Sequence, residues 1–97
     1  MILVRDVFQL KFGMAKDALA ALRAGESHFR KSSAGFRVLT DLTGQYYTLV
    51  LEGTYENLAA FETMMKNESA SSEWKQWYAG FVPFLAGGHR EIFNVAL

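Results

Sequence analysis

Asp6, Arg5, Arg37, His28 and His89 are the side chains here that could do chemistry in an apolar setting. Asp6 lies between Val4 and Phe8 on the more apolar face of a strand rich in Ile, Val and Phe. A carboxylate there must meet a cation or lose its charge, because an unpaired buried charge is very costly. Arg37 is the first partner to expect, with an arginine of a neighbouring strand or of a second subunit as the other. Arg37 could instead pair with Glu52 or bind an anionic substrate. In a functional role Asp6 is a base, or holds a polar group of a ligand. His89, placed at the start of the last strand, is the second candidate base. His28 shares a helix with Glu26 and Arg30 and is expected to face solvent. Neither histidine has a second ligand at helical spacing, so no metal site is expected. No Ser-His-Asp arrangement can be assembled. No glycine-rich phosphate loop is present, and Gly87-Gly88 reads as a helix stop and turn. The absence of cysteine excludes disulfides, thiolate metal sites and a cysteine nucleophile. No cofactor is expected.

Aromatic residues make up 14% of the chain, and they need a home. Phe8, Tyr47, Phe61, Trp74, Trp77, Tyr78 and Phe81 are core by default, since aromatic stripes at helical spacing usually pack. They outnumber what one small core needs. A flat apolar or aromatic small molecule would use the surplus, and Phe8, Arg37, Tyr47, Phe61, Trp77 and Tyr78 are the candidates to line its pocket.

The elements that must position these groups follow from periodicity. Ile2 to Lys11 reads as a strand, with Ile2, Val4, Asp6, Phe8 and Leu10 on one face. Met14 to Ser32 reads as a helix, with a slip in its apolar spacing near Gly25 and an end at Ser32, Ser33 and Gly35. Phe36 to Leu42 and Tyr46 to Thr54 form a hairpin around Thr43-Gly44-Gln45. The consecutive Leu49, Val50 and Leu51 suggest burial on both faces. Thr54 is a plausible N-cap for a second helix, with Leu58, Phe61, Met64 and Met65 turned inward. Asn67 to Ser72 reads as a polar break. A shorter helix from Glu73 to Phe84 carries Trp74, Trp77, Tyr78 and Phe81 on one stripe, and His89 to Ala96 closes the chain as a strand.

The order β-α-β-β-α-(α)-β predicts a single α+β domain over residues 1–97: a ferredoxin-like βαββαβ fold with a four-stranded antiparallel sheet. Right-handed crossovers place the main helices on one face. The other face is then open, yet apolar residues point both ways. A homodimer through that open sheet face is the simplest cover. With 10 basic and 10 acidic residues, no nucleic-acid partner is expected. No signal or membrane-spanning run stands out, so a cytoplasmic protein is expected.

The chain resembles the dimeric α/β-barrel superfamily, in particular its NIPSNAP-like and antibiotic-biosynthesis-monooxygenase-like branches. The resemblance is carried by Phe12-Gly13 and the hairpin Phe36 to Glu52. It continues through Glu52-Gly53-Thr54-Tyr55 leading into Leu58-Ala59-Ala60-Phe61-Glu62, the Trp74/Trp77 helix, and Arg90-Glu91-Ile92-Phe93. It implies two sheets facing each other across a dimer and enclosing a pocket. Some members are cofactor-free monooxygenases, and others bind and open haem. The haem-degrading members carry Asn, Trp and His where this chain has Asp6, Phe61 and Tyr78, which argues against that activity here. The expectation is a small homodimeric NIPSNAP-like protein with a barrel pocket for an apolar or aromatic molecule. One alternative is a cofactor-independent monooxygenase, with Asp6 or His89 as base and Tyr47, Trp77 or Tyr78 orienting the substrate. The other is a purely structural or regulatory dimer whose barrel is filled by side chains.

Overall fold

The computed structural model describes residues 1–97. Strand β1 (Ile2–Leu10) leads through Gly13, which has a positive φ of 84°, into helix α1 (Ala15–Ala24) and helix α2 (Glu26–Ser32). Strands β2 (Ala34–Thr40) and β3 (Thr48–Tyr55) follow, then helices α3 (Leu58–Ala70) and α4 (Ser72–Phe81), a 3-10 turn (Val82–Phe84) and strand β4 (Leu85–Asn94). The sheet is antiparallel in the order β2-β3-β1-β4. This is the ferredoxin-like arrangement, with the helices packed on one face. No helix is long and apolar enough to cross a membrane.

Pairing fixes which side chains share a face. Asp6 stands opposite Leu51 of β3 and Arg90 of β4, and Phe8 stands opposite Leu49 and Gly88. These positions look toward the helices. Leu10, Leu49, Ala18, Leu22 and Phe81 form the main core there, and Ile2, Val4 and Phe61 form a second cluster. The other parity faces away from the helices. Arg5 stands opposite Glu52 and Glu91, Val7 opposite Val50 and His89, and Arg37 opposite Glu52. Leu49 and Leu51 therefore both serve the helix side, and only Val50 of that run looks outward.

The elements differ from the sequence expectation at their ends, each for a local reason. The first helix is two, joined at Gly25, where a Cβ would stand 2.9 Å from Trp77 Nε1. The close approach lets that indole donate to Ala21 O at 2.8 Å. Strand β2 starts earlier and ends at Thr40, so Asp41 and Leu42 belong to the turn. Tyr46 and Tyr47 fall outside β3, and Tyr47 takes a positive φ of 57°. The cap of α3 is Asn57, which accepts from Ala60 N at 2.8 Å, and Leu58 at the first turn is exposed. The expected polar break shrinks to Ser71, which caps α4 by accepting from Trp74 N at 3.3 Å. Gly87 and Gly88 are strand residues, not a helix stop. A Cβ on Gly88 would lie 2.7 Å from Val7 O, so a glycine lets β4 lie close over β1.

Candidate functional site

A cavity of about 270 Å³ lies between the sheet and the helices of the single chain. Its apolar wall is built by α4 and its neighbours. Trp74, Trp77, Tyr78 and Phe81 recur along α4 at three- and four-residue spacing, so they share one side of that helix. Trp77 stacks on Trp74 at 5.2 Å and on Phe81 at 4.9 Å between ring centroids, and Phe81 meets Phe8 of β1 at 5.6 Å. Phe29 of α2 stacks on Phe36 of β2 at 5.2 Å and closes the wall. Phe61, Met64 and Met65 of α3 complete it, so that 13 of the 20 lining residues are hydrophobic.

The polar wall has two carboxylates. On the sheet, Asp6 is held by Arg90 across the β1–β4 pair: Nε donates to Oδ1 at 2.5 Å and Nη2 to Oδ2 at 3.4 Å. The Arg90 guanidinium also lies 5.1 Å from the Phe61 ring centroid, so one cation serves a carboxylate and an aromatic face. On α3, Glu68 is buried, and its Oε1 is 2.5 Å from His28 Nε2 and accepts from Ser32 Oγ at 2.8 Å. His28 stacks on Trp74 with centroids 6.1 Å apart. Tyr55 of β3 also lines the cavity. Burial pushes its phenol above the usual 10.0; the Glu68 and Asp6 carboxylates add to the rise, while Ser33 and Arg90 oppose it. Gly53 gives Ser33 its place, since a Cβ there would stand 2.4 Å from Ser33 Oγ.

Of the residues singled out from sequence, Asp6, Phe8, Phe61, Trp77 and Tyr78 line this cavity, and Arg37, Tyr47 and His89 do not. Arg37 is on the open face, donating to Glu52 Oε1 from Nη2 at 2.5 Å and from Nε at 3.1 Å. Asp6 faces the other way, so its partner is Arg90 and not Arg37. Tyr47 sits in the β2–β3 loop, 5.0 Å from the Phe12 ring. His89 is also on the open face, 3.0 Å from Glu91 Oε2. The two candidate bases thus lie on opposite sides of the sheet. Glu68 was missed, and His28, expected to face solvent, is instead half-buried against Glu68. Glu68 sits in the polar run after Met65, and its inward turn follows from Phe61 and Met65 at four- and three-residue spacing. His28 gains its partner from a helix 40 residues away in sequence. No cluster of three His, Cys, Asp or Glu side chains converges as a metal site would require.

The open face carries a row of alternating charge across all four strands. Arg37 of β2, Glu52 of β3, Arg5 of β1 and Glu91 of β4 stand side by side. Arg5 Nε donates to Glu52 Oε2 at 2.7 Å and Arg5 Nη1 lies 3.7 Å from Glu91 Oε1. The Glu52 side chain is 1% exposed, covered by its own two partners. Around the row stand Leu3, Val7, Val50, Leu39 and Phe93, of which Leu39 and Phe93 are exposed.

No family model and no curated protein matches the chain. Solved structures do. An uncharacterized NIPSNAP domain protein from Burkholderia xenovorans superposes with a TM-score of 0.89 at 15% identity, covering 99% of this chain and 95% of its own. A NIPSNAP family protein from Agrobacterium tumefaciens gives 0.89 at 10% identity, covering 96% and 90%. A putative antibiotic biosynthesis monooxygenase from Nitrosomonas europaea gives 0.80 at 12% identity, covering 100% of each chain. At such identities the likeness is one of fold. This chain has the ferredoxin-like α+β fold found in NIPSNAP-domain proteins and in antibiotic-biosynthesis-monooxygenase-like proteins.

Proposed function

We propose that this is a small homodimeric cytoplasmic protein that binds an apolar or aromatic small molecule in the cavity between the sheet and helices of each protomer. One observation carries the reading: an aromatic cavity of about 270 Å³ has a fixed ion pair, Asp6–Arg90, on its sheet wall. Apolar walls with a few converging polar groups are the usual make-up of a small-molecule site. An open cavity also favours binding over a purely structural dimer with a filled core. The pocket proposed is internal to each chain, not enclosed between two sheets. Dimerisation is proposed from the open face, where Leu39 and Phe93 are exposed beside Val7 and Val50. Native mass spectrometry of the purified protein tests both parts. The expected result is a dimer that releases a small-molecule adduct on activation. A monomer, or a dimer with no adduct and no affinity for one- and two-ring aromatics in titration, refutes the corresponding part.

A second reading, cofactor-independent oxidation of an aromatic substrate, is favoured by the monooxygenase-like neighbours and by a cavity that offers carboxylates in apolar surroundings. His89 drops out as its base because it stands on the other face. Asp6 keeps both oxygens on Arg90, an arrangement that suits an anchor better than a base. Oxygen uptake in the presence of a dihydroxynaphthalene separates this reading from simple binding.

A further inference from the structure

Glu68 is the polar group of the cavity that the fold leaves half used. It is buried, at 8% exposure, and it lines the cavity from α3. Both hydrogen bonds it receives, from His28 and Ser32, fall on Oε1. Oε2 receives none, yet no occluded side-chain oxygen or nitrogen in the protein lacks a partner. Oε2 is therefore not sealed in protein, and Glu68 itself lines the cavity.

The charge balance of the wall makes that oxygen specific. Asp6 and Arg90 cancel each other. Glu52, although on the neighbouring strand, turns its carboxylate to the other face, onto Arg5 and Arg37. The partners of Glu68 bring no fixed positive charge: Ser32 is a hydroxyl, and His28 is an imidazole, charged only when protonated. No lysine lines the cavity. A carboxylate with no lysine or arginine partner thus shares the cavity wall with Trp74, Trp77 and Tyr78, whose ring faces attract cations. A carboxylate and aromatic faces together suit a charged donor better than a neutral one, because charge-assisted hydrogen bonds are about twice as strong.

We propose that Glu68 Oε2 is the anchor for an ammonium group, so that the cavity takes an aromatic molecule carrying a primary amine. The proposal rests on the cavity being a binding site and goes further by naming the ligand class and the residue that selects it. Calorimetric titration of the full chain at about pH 8 with three probes of matched shape tests it: 2-naphthylmethylamine, 2-naphthylmethanol and 2-ethylnaphthalene. The amine should bind about tenfold or more tighter than the alcohol and the hydrocarbon. Glu68→Gln should remove that preference and leave the hydrocarbon within about twofold, with circular dichroism confirming the fold. If that variant does not fold, the ranking of the three probes on the unaltered protein decides alone. An alcohol or hydrocarbon that binds as tightly as the amine overturns the ammonium anchor and leaves the cavity standing as a binding site. An amine preference that survives Glu68→Gln also overturns it. Failure of all three probes to bind overturns the anchor and the binding reading together.

Discussion

Replacing Glu52 by glutamine tests the charge row at its centre. The Glu52 carboxylate takes bonds from Arg37 at 2.5 and 3.1 Å and from Arg5 at 2.7 Å. Breaking a fully buried ion pair costs about 3–5 kcal/mol, a figure for charges that cannot reach water. Here the Arg37 side chain is 64% exposed and that of Arg5 36%, so both can rehydrate. Glutamine also keeps one acceptor oxygen. The loss should fall to the value of charge-assisted bonds, about 1.5–3 kcal/mol. In a chain this short, about 1 kcal/mol moves the melting temperature by about 4–8 °C. Glu52→Gln should therefore melt about 6–24 °C lower near neutral pH. The pH dependence has a definite sign. Burial alone raises the Glu52 carboxyl, but the bonds and charges of Arg37 and Arg5 outweigh it and hold the pKa below the ordinary 4.5. The stabilisation is complete above the unfolded-state value and is lost as pH falls through the lower folded-state value. Thermal melts by circular dichroism should show a constant gap between the two proteins from about pH 6 to 8, closing below about pH 4. A gap that persists undiminished at about pH 3, or no gap at neutral pH, refutes the reasoning.

Three further changes separate the other parts of the structure. Asp6→Asn removes a pair whose side chains are 24% and 40% exposed, so melts should show a loss of only about 1 kcal/mol. Gly53→Ala forces a methyl to within 2.4 Å of Ser33 Oγ and 2.8 Å of its Cβ, and should cost about 1–3 kcal/mol in denaturant titration. Adding Ser33→Gly should recover much of that loss; no recovery would show that the backbone, not the contact, sets the cost. Val50→Lys puts a charge in the middle of the open face. Light scattering should give twice the 10.9 kDa chain mass for the unaltered protein and the single mass for the variant, and a variant that stays dimeric would move the interface elsewhere.

The element order and the face of Asp6 were legible because a strand repeats every two residues and β1 gathers Ile2, Val4, Phe8 and Leu10 on the parity of Asp6. The partner of Asp6 was not legible. Arg37 and Arg90 both lie on strands, and only the pairing register decides which shares a face with position 6. The strand ends misled for a related reason. Tyr46 and Tyr47 are good strand formers by type, but Tyr47 bends the loop with a left-handed backbone and packs its ring on Phe12. Gly87-Gly88 looks like a stop in a one-dimensional reading, whereas close packing of β4 over Val7 is what calls for glycine at position 88. Glu68 was hidden by its company: in a run of polar residues an inward glutamate shows only in helical phase with Phe61 and Met65. The half-used carboxylate at the heart of the candidate site was thus the residue the chain disclosed least.

The alternating row on the open face has a symmetry of its own. Read from β2 to β4 it runs plus, minus, plus, minus, through Arg37, Glu52, Arg5 and Glu91. Read backwards it is its own complement. A second copy laid face to face about a two-fold axis along the strands reverses the row, so each charge meets its opposite, Arg37 toward Glu91 and Glu52 toward Arg5. A copy related by an axis along the row sets each charge against its equal. Like charges brought together cost energy that opposite charges do not. One short stretch of side chains thereby distinguishes between two ways of stacking the same sheet, independently of the apolar contacts that would hold either one together.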